Sequence, residues 1–158
     1  MPRIAITGHR DLTEPTARSV REAVREALTT RRESLIGVSC LAEGADQLFA
    51  REVLTAGGEL HAVIPAADYR DTLPVDARAA YDDLTGLAAH VHRMPARVAA
   101  PTSYMAASEY MLRGTDELFA VWDGCPALGY GGTADVVSYA RRKGVKVHVI
   151  WPQGAERA

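Results

Sequence analysis

The sequence predicts a three-layer α/β/α domain of Rossmann-like type with a mainly parallel sheet. Three observations lead there. Short β-rich runs alternate with helical patterns along the whole chain, the signature of strand–helix–strand crossovers. Glycine or proline punctuates several of the boundaries between them. The unusual polar clusters all follow strands, at the carboxyl edge where an open parallel sheet holds its ligands.

The elements follow in order. Residues 3–7 (RIAIT) form a strand of the kind buried on both faces. Gly8-His9-Arg10-Asp11 ends it as a loop, and a helix is predicted over 16–29. Its apolar side is Ala17, Val20, Ala23, Val24, Ala27 and Leu28, at three-and-four spacing, with Glu14 and Pro15 suited to its first turn. Strand two is 35–40, and 41–46 leads into a helix running to about residue 56 that turns Leu48, Phe49 and Val53 inward. Gly57-Gly58 stops it, and strand three (60–64) closes at Pro65. Residues 66–76, with Asp68, Tyr69 and Asp71, read as the longest irregular loop and a candidate ligand-facing lid. A helix over 77–88, a weak strand at 90–94, a helix from Pro101 to about 113 and strand five (118–122) follow. After Gly129-Tyr130-Gly131-Gly132-Thr133 a helix runs to Lys143, Gly144 caps it, and 145–151 is the last strand before a short polar tail.

The 158 residues suit one domain, and no repeat, low-complexity segment or composition break divides them. Cys40 and Cys125 are the only cysteines, and no apolar export signal precedes the first strand. Both are expected as free thiols in a cytoplasmic, reducing compartment. No apolar run reaches the length of a membrane span. The formal net charge of −2 and the lack of interleaved cationic and aromatic residues lead to the expectation that nucleic acid is not a partner.

Among the motifs, Gly129-Tyr130-Gly131-Gly132-Thr133 is the strongest. Glycines admit close backbone approach, and the helix that follows offers free N–H groups and a positive dipole end, which suit a phosphate. Thr133 either caps that helix or donates its hydroxyl to a phosphate oxygen. In Gly8-His9-Arg10 the glycine admits a ligand and Arg10 suits a bidentate phosphate clamp; a solvated arginine and a structural histidine are the alternatives. Glu43-Gly44-Ala45-Asp46 offers acceptors to a ribose or base, or simply acidic residues favoured in a helix's first turn. Asp123-Gly124 follows an apolar strand, where an aspartate must be solvated or paired.

Other chemistries are excluded. There is no Gly-x-x-x-x-Gly-Lys-Ser/Thr loop, no Gly-x-Ser-x-Gly elbow and no full Gly-x-Gly-x-x-Gly turn. His9, His61, His90, His92 and His148 form no helical His-x-x-x-His pair. His90 and His92 share a strand face, but no third ligand is evident, so no metal and no cofactor is expected.

Gly8-His9-Arg10, Ala42-Glu43-Gly44-Ala45-Asp46, residues 116–124 and Gly131-Gly132-Thr133 with its helix together resemble the SLOG superfamily. That group joins DNA-processing proteins of the DprA/Smf type, Lonely Guy phosphoribohydrolases and YpsA-like proteins, and the resemblance covers nearly the whole chain. It implies a Rossmann-like domain whose glycine-rich loop holds the phosphate of a nucleotide or nucleotide-derived ligand. Gly131, Gly132 and Thr133 then sit at the phosphate, with Gly8 and the segment Gly44-Ala45-Asp46 at other strand ends, and Gly129, His9 and Arg10 belong to the same nucleotide-binding loops. It also implies dimers, since family members commonly pair.

One departure stands out. The phosphoribohydrolases carry Pro-Gly-Gly-x-Gly-Thr-x-x-Glu, with the glutamate in the catalytic site, whereas Val136 stands at that position here. An apolar side chain neither stabilises a ribosyl cation nor activates water. If N-glycosidic hydrolysis occurs, its carboxylate comes from Glu43, Asp46, Glu109, Asp123 or Asp82. Three readings stay open: a nucleotide-binding hydrolase, a non-catalytic nucleotide sensor, and a structural or protein-interaction domain.

Overall fold

A computed structural model describes residues 1–31, 34–127 and 129–158. Six strands form one sheet in the order β4-β3-β2-β1-β5-β6, every neighbouring pair parallel. They are β1 (Arg3–Gly8), β2 (Ile36–Ser39), β3 (Glu59–Ile64), β4 (His90–Arg93), β5 (Glu117–Val121) and β6 (Lys146–Ile150). The helices are α1 (Glu14–Thr29), α2 (Ala45–Thr55), α3 (Tyr69–Thr72), α4 (Val75–Leu87), α5 (Pro101–Leu112) and α6 (Thr133–Arg142).

The two-residue period of the strands builds two cores. Ile4, Ile6, Phe119 and Val121 face one way and meet Val20, Val24 and Leu28 of α1 and Phe49 and Val53 of α2. Leu60, Ala62 and Ile64 of β3 continue that layer against Ala50 of α2 and Tyr81 and Leu84 of α4. Ala5, Val38, Val63 and Leu118 face the other way, against Met105 and Met111 of α5 and Val136 and Ala140 of α6. This is the three-layer α/β/α arrangement with a parallel sheet that the alternating pattern predicts.

One segment differs from its sequence reading. The stretch 66–76 is not one irregular loop: it carries α3 and the start of α4, and Tyr69 is buried against Tyr81 and Tyr104. Asp68 ties it down by accepting a hydrogen bond from the Ala99 amide at 2.6 Å. The short polar tail folds back onto the chain. Arg157 pairs with Leu12 in an antiparallel bridge, the Thr13 amide donates to the Glu156 carbonyl, and the Glu156 amide donates to Thr16 Oγ1 at 2.7 Å. Among the described residues no helix is long and apolar enough to cross a membrane.

Candidate functional site

From β1 the chain works outward through β2, β3 and β4, then returns to place β5 on the other side of β1. The connections leaving β1 and β5 therefore part in opposite directions, and a crevice opens beyond their carboxyl ends. Its volume is about 470 Å³, and its walls come from the β1–α1 loop, the start of α2, Tyr69, Tyr104 on α5, the glycine-rich loop and Arg157.

The base of the crevice is a tight three-way junction. A methyl group on Gly8 would lie 2.5 Å from Ala45 Cβ and 2.8 Å from Val121 Cβ. The His9 amide donates to the Val121 carbonyl (3.1 Å) and the Ala45 amide to the His9 carbonyl (3.2 Å). Gly44 has φ +81°, and a Cβ there would stand 2.7 Å from the carbonyl oxygens of His9 and Arg10. What presses on Gly8 and Gly44 is the protein's own backbone and core, so both are accounted for by packing.

On this junction stand the polar side chains. His9 is buried, edge-on to Trp151, and its Nε2 accepts the Asp123 amide at 3.1 Å. An accepting Nε2 places the ring proton on Nδ1. Burial holds the His9 pKa below its ordinary value, helped by the Arg157 charge and opposed by Asp123. The 3.2 Å approach of Nε2 to Asp123 Oδ1 becomes an ion pair only on protonation. Asp123 is held below the usual carboxylate range chiefly by the Cys125 amide, which donates to Oδ1 at 2.9 Å.

Arg10 donates to Glu43 Oε1 at 3.1 Å and lies over the Tyr104 ring, 5.2 Å from its centroid. Asp46, in the first turn of α2, is 9 % exposed and lines the crevice; its Oδ2 accepts the Ala42 amide at 3.3 Å. Burial pushes its pKa up to about 7, against the pull of Arg10 and the Ala42 amide. A carboxyl that titrates near neutrality in a crevice is suited to taking and giving a proton.

The glycine-rich loop forms the opposite wall. Gly131 has φ +85°, and a Cβ would meet the Pro101 carbonyl oxygen at 2.7 Å. Its amide donates to Asp135 Oδ2 at 2.9 Å. Gly132 caps α6 with no side-chain bond, and among the described residues no acceptor meets the amides of Gly132, Thr133 or Ala134. These three residues, with Gly129, line the crevice.

Of the carboxylates proposed from sequence for hydrolysis, the fold brings Asp46 to the crevice wall, which Asp11 also lines. Glu43 is engaged with Arg10, Asp123 with Cys125 and His9, and Asp82 with Arg70, while Glu109 lies on α5 outside the lining. Val136 is core, 2 % exposed. Sequence reading missed Arg157, which lines the crevice with its Nε on Asp11 (2.9 Å) and Nη1 3.8 Å from Asp123 Oδ2. No local signal marks it, because its place depends on the tail folding back on Leu12. Tyr104 was missed for a different reason, since an aromatic at helical spacing reads as core, whereas Tyr69, placed by the sequence in the ligand-facing stretch 66–76, does line the crevice.

No family model and no curated protein matches the chain. Solved structures do. DNA processing protein A (DprA) from Streptococcus pneumoniae superposes with a TM-score of 0.70 at 20 % identity, over 98 % of this chain and 52 % of that one. DNA processing protein A from Helicobacter pylori, described for its single-stranded DNA binding mode, gives 0.71 at 15 %, over 99 % and 68 %. These likenesses show a shared Rossmann-like fold, the one that the resemblance to the SLOG superfamily implies. A molybdenum cofactor binding protein from Rippkaea orientalis shares it, with a TM-score of 0.62 at 12 % identity over 96 % and 77 %. The chain spans about half the length of the S. pneumoniae protein.

These relatives correct one expectation. Net charge argued against nucleic acid as a partner, yet a protein of this same fold is described as binding single-stranded DNA. The physical reason is that net charge averages over the surface, while binding answers to the local field. Here Arg10 and Arg157 meet at one crevice, and Arg141 lies 6.0 Å from the centroid of the Trp122 ring.

Proposed function

We propose that the crevice binds a nucleotide or nucleotide-derived phosphorylated small molecule, with its phosphate on the α6 amides and its sugar toward Asp46. The observation that carries this reading is that the amides of Gly132, Thr133 and Ala134 have no acceptor among the described residues, in a crevice that these residues line together with Arg10 and Arg157. Free amides at a helix start and two guanidinium groups are an anion site in composition and charge. The volume of about 470 Å³ lies within the range of small-molecule sites.

Hydrolysis of an N-glycosidic bond is the activity this site is best equipped for. Ionised Asp46 would stabilise the ribosyl cation as the bond to the base breaks and would orient the water that adds at C1′. The base leaves with its proton restored by solvent. A non-catalytic sensor is the second reading. It is favoured by Val136 in place of a glutamate and by Asp135, which is already engaged by the Gly131 amide.

One experiment separates the readings. The purified chain is incubated with nucleoside monophosphates, cyclic and ADP-ribose-type nucleotides and a single-stranded oligonucleotide, and mass spectrometry scores base release and intact retention. Base release that disappears in Asp46→Asn supports hydrolysis. Retention of one small nucleotide without turnover supports the sensor. Retention of the oligonucleotide alone, or of nothing, overturns the small-molecule reading.

A further inference from the structure

At the opposite end of the sheet from the crevice, three side chains meet that no motif joins. Glu59 and His61 are two residues apart on β3 and so share a face, and His90 opens β4 directly beside His61 in the parallel register. His61 Nε2 stands 2.8 Å from Glu59 Oε1, and His90 Nε2 stands 3.9 Å from the same oxygen. The two rings lie edge to face with centroids 4.6 Å apart, and one donor atom from each of the three residues falls within 4.8 Å of the others. The sequence reading looked for a third ligand to His90 beside His92. The fold supplies Glu59 and His61 from the neighbouring strand instead, while His92 stacks on Tyr110.

We propose that Glu59, His61 and His90 form a binding site for a divalent transition-metal ion of the Zn²⁺ class. Two imidazoles and a carboxylate, with a fourth position left to water, are a donor set that Zn²⁺ takes. Imidazole donors disfavour Mg²⁺ and Ca²⁺, which prefer oxygen ligands. Tetrahedral ligands about 2.0–2.1 Å from the ion stand roughly 3.4 Å apart. The observed 2.8 and 3.9 Å bracket that spacing, so small rotations suffice. The side chains that must turn are free to do so, His90 being 71 % and Glu59 39 % exposed.

Arg3 bears on the ligand atom. Its Nη1 stands 3.4 Å from His61 Nδ1, which leaves Nε2 as the nitrogen facing Glu59. An ion on Nε2 shifts the ring proton to Nδ1, toward the guanidinium. Arg3 thus holds affinity down, and an acceptor in its place would raise it. The consequence of binding is mechanical: β4 is an edge strand with all four residues exposed, and the ion ties it to β3.

The test is titration of the untagged, chelator-treated chain with Zn²⁺ alone, followed by calorimetry, with Co²⁺ as a spectroscopic reporter of four-coordinate geometry. One equivalent per chain is expected, with a rise in Tm on Zn²⁺ addition. His90→Ala and Glu59→Gln should each weaken binding by at least roughly tenfold, since even outer-shell changes cost that much. His92→Ala and His148→Ala should leave it unchanged, and Arg3→Gln should tighten it. Absence of stoichiometric uptake, or uptake indifferent to His90→Ala and Glu59→Gln, would overturn the proposal. His90 is exposed, so its loss of binding is read in a folded chain, and none of these residues lines the nucleotide crevice.

Discussion

Asp46 joins a destabilising position to a useful one. Its carboxyl titrates near 7 rather than 3.8 because burial disfavours the charge. Between those values the folded chain keeps a proton that the unfolded chain has released, so stability falls as pH rises from about 4 to 7, and the full cost stands above 7. Asp46→Asn keeps the shape and an acceptor for the Ala42 amide but carries no charge. It should therefore be more stable than the parent chain at pH 8, by on the order of a few kcal/mol, with a smaller difference at pH 5. Urea unfolding at the two pH values measures this; an equal gain at both would show that desolvation of the carboxylate is not the cause. Loss of any base-releasing activity in the same variant would place the cost of that burial in the service of the site.

At the scale of elements, the glycine-rich loop between β5 and α6 packs against the start of α5. Gly131 has positive φ, and a Cβ added to it would meet the Pro101 carbonyl at the start of α5. Gly131→Ala is expected to cost about 1–3 kcal/mol from backbone strain, with the clash added. It should lower Tm and weaken ligand retention together, whereas a change confined to the phosphate contacts would weaken retention alone. The loop was legible because glycines just before a helix are a local signal, and so were α1 and β5, whose apolar periods are unbroken. The four-residue α3 was not, since one turn is too short for a period to show, and 66–76 read as loop. What packs on Gly8 and Gly44 was hidden too, because their neighbours Ala45, Val121, His9 and Arg10 converge only when β1, α2 and β5 are in place. The Glu59–His61–His90 cluster likewise depends on the β3–β4 register, which no residue spacing along the chain reveals.

Across the whole molecule, the crevice is assembled from both ends of the chain. β1 supplies its base, and the segment 152–158 folds back to deliver Arg157, held by Asp11 and facing Asp123. Those pairs are partly exposed, so they contribute little to stability, on the order of 0–1 kcal/mol each. The value of Arg157 lies instead in the field it sets inside the crevice. Its charge is one of the causes that hold His9 below its ordinary pKa, while Asp123 pulls the other way. Arg157→Ala removes the cation and leaves the carboxylate, so the His9 pKa should rise, which NMR titration of the ring measures. Protonated His9 would then turn from accepting the Asp123 amide to donating to Asp123 Oδ1, 3.2 Å away, and the β5 end would loosen from the β1 loop. A phosphorylated ligand should accordingly bind Arg157→Ala more weakly and with a shallower dependence on salt, while Tm changes little. An unchanged His9 titration would mean that Arg157 acts on the ligand directly; unchanged ligand affinity would mean that the folded-back tail only closes the fold.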